Sequence, residues 1–213
     1  MTFDPLAPLY RWMEIASAGR LLERCRTAWL ASVPTPSRIL LLGEGHGRSL
    51  AACRRQFPAA HLTCIEASAA MIAEARKHLA RQQIRTANVD FIHTDMFAWH
   101  PVPQGSFDLI ITHFFLDCFT AEEMKRLIPL IANAATPTAS WLIADFQIAP
   151  AGWRRWRSRV IVALLYAFFR RTTGLSATGL VLPNRLLISS GFHLRQEVQF
   201  SAQLLKSEWW QRL

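Results

Sequence analysis

The feature that most constrains the fold is a short apolar run, Arg38-Ile39-Leu40-Leu41-Leu42, cut off by Gly43-Glu44-Gly45-His46-Gly47. Four consecutive apolar residues with no polar alternation suit a strand buried on both faces, the condition of a central strand in a parallel sheet. Around it strands and helices alternate. Strands are expected at 38–42, 61–66, 88–93, 107–113 and 139–145, and helices at about 48–57, 68–82 and 120–134. That rhythm is the pattern of a doubly wound α/β sheet. A helical region from about 9 to 30 precedes it, closed by Val33-Pro34-Thr35-Pro36, and a final pair of strands is expected within 192–210.

Three glycines at alternating positions between a buried strand and a helix let the backbone turn sharply and approach a ligand, with helix N-terminal amides facing it. A dinucleotide site would require Gly-x-Gly-x-x-Gly, and the position for the last glycine holds Arg48. The second element is Glu66, closing the strand His61-Leu62-Thr63-Cys64-Ile65-Glu66, where a carboxylate can accept both hydroxyls of a ribose laid over the glycine loop.

Together these residues resemble the class I methyltransferases that use S-adenosylmethionine (SAM). The segment Glu66-Ala67-Ser68-Ala69-Ala70-Met71-Ile72-Ala73-Glu74-Ala75-Arg76 is similar to the D/E-x-S-x-x-M-L-x-x-A-R pattern of the small-molecule subgroup that includes quinone-biosynthesis enzymes. The resemblance covers about 38–146. It implies a Rossmann-like, doubly wound, seven-strand mixed sheet with an N-terminal helical lid and a helical insertion after the fifth strand. It further implies that Gly43, Glu44, Gly45, Gly47, Glu66, Ala67, Met71, Asp95, Met96 and His113 contact the cofactor. Glu66 would hold the ribose, Ala67 and Met71 would pack near the adenine, and Asp95 would accept from the adenine amino group. One departure stands out: the family's acid two residues before the first glycine is here Leu41, and Glu44 is the candidate replacement for its charge.

On this reading the chain is a single domain, with a lid region at 1–36, a SAM-binding core at 37–146, a basic aromatic insertion at 147–190 and C-terminal strands at 191–213. Methyl transfer from a sulfonium is an in-line displacement driven largely by alignment and exclusion of water, so few catalytic side chains are required. His113, at the carboxyl end of the fourth strand, is the candidate general base. Asp117 either orients it or caps the helix expected near Thr120. Asp145 is a further pocket candidate, and Asp108 is expected to be structural. Tyr10 and Trp12 fall in the lid region, and Tyr10 is expected to meet the acceptor.

The net charge of +9 is local, because no acid occurs between Asp145 and Glu197 and that stretch holds eight arginines. Within it, Trp153-Arg154-Arg155-Trp156-Arg157-Ser158-Arg159, the apolar run Val160 to Phe169, and Arg170-Arg171 read as one helix. Three functions compete for it. The first is a lid over a hydrophobic acceptor contacted by Trp153, Trp156 and Tyr166, the second a peripheral membrane contact, and the third a homodimer interface. Nucleic acid is not expected, since the arginines bracket an apolar centre instead of lining one face. Ten apolar residues are too few to span a bilayer, the N-terminus lacks a secretory pattern, and the four cysteines show no paired spacing. A cytoplasmic protein, free to touch a membrane peripherally and with neither metal nor disulfides, is therefore expected. The function expected is methyl transfer from SAM to a small hydrophobic or aromatic acceptor. The alternatives are a SAM-binding protein without turnover and, opposed by Arg48, an NAD-dependent oxidoreductase.

Overall fold

The computed structural model describes residues 19–100 and 105–213. Tyr10, Trp12 and the first half of the expected lid region lie outside them. In chain order the elements are α1 (Gly19–Thr27), β1 (Arg38–Leu42), α2 (Arg48–Gln56), β2 (His61–Glu66), α3 (Ala69–Arg81), β3 (Val89–His93), β4 (Phe107–His113), a 3₁₀ turn (Leu116–Cys118), α4 (Ala121–Ala134), β5 (Ala135–Phe146), α5 (Gly152–Thr173), α6 (Asn184–Ser189), β6 (Phe192–Phe200) and β7 (Leu205–Arg212).

Seven strands form one sheet in the order β3-β2-β1-β4-β5-β7-β6. Strands β1 to β5 pair in parallel, whereas β7 runs antiparallel to both β5 and β6. The apolar run in β1 has a direct cause in this arrangement. Leu40 and Leu42 enter the core on one face with Ile110, Ile128 and Trp141, while Ile39 and Leu41 enter the core on the other with Leu50, Leu62 and Leu109. Alternate side chains of a strand point to opposite faces, so a strand covered on both must be apolar at every position. The edge strand β3 carries no such demand and alternates between half-buried and exposed residues.

Helix starts follow the capping rules. The Ser68 hydroxyl accepts from the Met71 amide and opens α3, and Thr120 and Glu123 form a reciprocal capping box on α4. The cap of α4 is thus Thr120, and Asp117 does not fill that role. At the sheet's other end the chain departs from the expected boundaries: α4 runs straight into a 12-residue β5 that begins at Ala135. No described helix is long and apolar enough to cross a membrane.

Candidate active site

The sheet reverses its winding between β1 and β4, where the chain goes outward through β2 and β3 on one side and through β5 on the other. The carboxyl ends flanking such a point leave a crevice that no crossover covers. A cavity of about 230 Å³ lies there, reached by both the glycine loop after β1 and His113 at the end of β4.

The loop is built for close approach. Gly43 takes a φ of +64°, and a Cβ on it would lie 2.2 Å from Cδ2 of Phe115. Gly47 does not line the cavity. It sits at the N-terminus of α2 with a φ of +77°, and a Cβ there would meet Ala75 of α3 at 3.0 Å, so its task is to let two helices approach. Gly45 faces open space, and its amide donates to Glu66 Oε2 at 3.1 Å. The other carboxylate oxygen of Glu66 accepts from the Ser68 amide at 3.0 Å. Burial raises the Glu66 carboxyl above its usual range, while the Ser68 and Gly45 amides oppose that rise.

Glu44 turns back onto the start of α2, where Oε1 accepts from the Leu50 amide at 2.9 Å. Burial pushes its carboxyl up to about 7, against the Leu50 amide and the nearby Arg26 guanidinium. Leu41, the position the family fills with an acid, is fully buried among Leu50 and Leu109 and takes no part in the site. Glu44 of the loop, by contrast, lines the cavity. Ala67, Met71, Asp95 and Met96 line the same cavity. Asp95 Oδ1 accepts from the Phe97 amide at 2.8 Å, which fixes its side chain at the cavity edge.

Sequence reasoning missed Arg26, whose charge acts on both Glu44 and His113. Arg26 of α1 is buried in the cavity wall, with its guanidinium 5.0 Å from the centroid of the Phe114 ring. Arginines on a short helix carry no motif, and only the packing of α1 onto β7 brings this one to the site: Cys25 Sγ donates to the Lys206 carbonyl at 3.3 Å, and Trp29, just past the helix, donates from Nε1 to the Ser207 carbonyl at 3.1 Å. Phe114 was missed as well. It holds a φ of +54°, a left-handed conformation that is strained for an aromatic residue and tends to gather at functional sites. Its amide donates to the Ala144 carbonyl at 2.7 Å and its ring meets Phe146 at 5.5 Å, so the strained residue is held from two sides.

His113 is buried, and its Nδ1 lies 3.1 Å from the Ser49 hydroxyl. Ser49, at the start of α2, is thus its hydrogen-bond partner, and the expected orienting bond from Asp117 is not formed. Nε2 is buried without a hydrogen-bond partner. Burial first, and the Arg26 charge second, push the imidazole down to about 3. The folded state therefore excludes a proton that an unfolded imidazole takes up below about pH 6.5, and His113 withdraws stability as pH falls through that range. We expect side-chain NMR of the free protein to show His113 neutral from pH 8 down to about 4.5; a midpoint near 6 would mean a solvated ring.

Asp117 lines the cavity and Asp145 does not. Both border a second, water-sized recess, together with Lys206. Burial raises the Asp117 carboxyl to about 6 and the Asp145 carboxyl well above its ordinary range. Asp108 is structural: Oδ2 accepts from the Ser37 and Arg38 amides at 2.9 and 3.1 Å, pinning the start of β1. Of the three aromatic residues expected to meet an acceptor in the insertion, Tyr166 lines the cavity and donates to the Asp117 carbonyl at 2.6 Å. Trp153 and Trp156 do not line it and stand exposed on the opposite side of α5.

Residues 39–138 match the family described as a methyltransferase domain. That segment is a methyltransferase domain, and the sheet around it has the class I methyltransferase fold. Over 119 residues, 54% of this chain and 42% of the relative, it is 34% identical to a trans-aconitate 2-methyltransferase of Paracidovorax citrulli. The chain thus spans less than half the length of the curated relatives it matches. Mitomycin 7-O-methyltransferase MmcR superposes with a TM-score of 0.73 at 19% identity, over all of this chain and 61% of that one. A SAM-dependent methyltransferase from Aquifex aeolicus superposes at 0.64 and 13% identity, over 96% and 98% of the two chains. At such identities the superpositions establish the methyltransferase fold and leave the acceptor open.

Proposed function

We propose that this chain transfers a methyl group from SAM to a small acceptor with a hydrophobic or aromatic body. The observation that supports this is the combination of two chemistries in one cavity. Its glycine-loop end is polar, with Glu66 suited to ribose hydroxyls and the opposite charges of Arg26 and Glu44 suited to the carboxylate and ammonium of an amino acid. The same cavity is also lined by Phe114, Phe119, Phe146, Tyr166 and Phe169. The residues present fit the cofactor: Gly45 leaves open space above the loop, and Glu66 keeps acceptor capacity beyond its two amide bonds.

When bound, SAM supplies an electrophilic methyl on a sulfonium. The chain's part is to hold the acceptor in line and to keep water away, which the aromatic wall does. His113 presents Nε2 as the atom free to take a proton, with Ser49 fixing the ring through Nδ1. A base held near 3 is a weak one at neutral pH. That observation favours a second reading, in which the acceptor atom is the oxygen of a hydrophobic carboxylic acid, already ionised and in need of no base. The relative's name, trans-aconitate 2-methyltransferase, points to an acidic acceptor too.

Calorimetric titration with SAM, S-adenosylhomocysteine and NAD, followed by mass spectrometry on a panel of phenols and hydrophobic carboxylic acids, tests both readings. Heat with NAD alone would end the proposal, and SAM binding with no methylated product would indicate a binding protein. Arg26→Met is expected to weaken SAM binding by about tenfold or more, since hydrogen bonds to charged groups contribute roughly 1.5–3 kcal/mol. The same change should raise the His113 midpoint, because it removes one of the two causes of its depression.

A further inference from the structure

Helix α5 presents two apolar faces, and among the described residues only one has a partner. Ser158, Val162, Tyr166 and Thr173 are buried, and with Leu165 and Phe169 they form the inner face that walls the cavity. At 3.6 residues per turn, Trp153, Trp156, Val160 and Leu164 fall on the opposite side. Those four are 66%, 72%, 38% and 66% exposed. Ala163 and Ala167 lie between them on the same stripe and are exposed too.

The charge around this stripe is of one sign. Arg154, Arg155, Arg159, Arg170 and Arg171 are all exposed, and the chain has no acid from residue 146 to residue 196 to neutralise them. Arg157 takes no part, because its guanidinium anchors the helix by donating to the Ser201 carbonyl at 3.0 Å. A protein partner with an acidic, apolar groove would answer the charge, but nothing here selects a groove. A bilayer with anionic headgroups answers both features at once: tryptophan rings sit at headgroup depth, arginines meet phosphate, and small and aliphatic residues enter the acyl boundary. The helix is about 33 Å long at 1.5 Å per residue, yet the arginines at both ends and the polar tie at Arg157 suit it to lie along a surface.

We propose that the outer face of α5 docks on an anionic lipid surface. Such docking places the membrane one helix diameter, about 10 Å, from the aromatic lining of the cavity. The helix then serves as the partition between a lipid-dissolved acceptor and the site. Docking itself does not require turnover, so it stands or falls separately from the proposed reaction.

The test uses the full chain with vesicles of phosphatidylcholine alone or mixed with phosphatidylglycerol. The wild-type protein is expected to co-sediment with the anionic vesicles, more weakly as salt rises from about 0.1 M, with a blue shift of tryptophan emission and quenching by brominated lipid. Trp153→Ala with Trp156→Ala should reduce the vesicle affinity about tenfold or more. Arg159→Gln with Arg170→Gln and Arg171→Gln should abolish the preference for anionic over neutral vesicles. SAM titration and thermal melting of each variant report whether site and fold are intact, and a variant that fails them is replaced by the milder Trp156→Ser. Absence of wild-type binding to anionic vesicles would overturn the proposal. So would binding that survives the double tryptophan change, or a concentration-dependent dimer that disappears in that variant without any vesicle binding.

Discussion

Glu66→Ala weakens SAM binding about 100-fold or more in calorimetric titration, while the far-ultraviolet circular dichroism stays that of the folded protein. A carboxylate offers about four acceptor positions. In Glu66 the Gly45 and Ser68 amides occupy two of them, which aims the remaining two over the glycine loop. Charge-assisted bonds contribute roughly 1.5–3 kcal/mol each and a tenfold change in affinity is about 1.4 kcal/mol, so losing both ribose bonds gives the stated effect. The fold should survive because the alanine leaves the apolar residues of β2 in place. A loss smaller than about threefold would mean that the ribose is held elsewhere. Acidification should weaken binding in the same direction: burial raises the Glu66 carboxyl, so protonation removes the ribose acceptor at a higher pH than for an exposed glutamate.

The second large effect falls on stability. Lys206→Met is expected to lower the unfolding free energy by about 3–5 kcal/mol, the range for breaking a buried ion pair by removing one partner. For a chain of this size that corresponds to a fall in Tm of roughly 6–20 °C. Lys206 is 5% exposed, and its Nζ lies 2.5 Å from Oε1 of Glu208, which is fully buried. The other Glu208 oxygen accepts from Trp210 Nε1 at 3.1 Å, and Asp145 stands directly opposite Lys206 in the pairing of β5 with β7. Removing the cation thus strands two acids in the core. Lys206→Met combined with Glu208→Leu should recover part of the loss, because it removes one of the two stranded acids and leaves only Asp145 without the cation. A single-variant effect below about 1 kcal/mol in urea unfolding would refute the assignment of this pair as a structural ion pair.

Much of the fold was legible because its signals are local. The apolar run of β1, the glycines after it and the serine cap of α3 each act within a few residues, and the strands at 38–42, 61–66 and 107–113 lie where the pattern put them. One rim of the cavity was legible for the same reason. Glu66, Ala67, Met71, Asp95 and Met96 follow closely on strand ends, so the register of a parallel sheet carries them to one rim. Gly47 was legible as a necessary glycine but not in its role, since its constraint is Ala75 on another helix.

What stayed hidden depends on contacts between distant segments. Arg26 reaches the cavity across the packing of α1 on β7, some 180 residues along the chain. Ser49, and not Asp117, is the partner of His113 because α2 abuts the end of β4, which spacing alone does not reveal. Trp153 and Trp156 read as acceptor contacts by composition, yet the azimuth of α5 turns them outward and Tyr166 inward. The sequence by itself determined the parallel core, its central strand and one rim of the cavity, because backbone preference and strand period act locally. Tertiary structure alone decided which charges meet in the cavity and which face of α5 is left bare, because both are set by how separate elements pack, and local patterning carries no record of that.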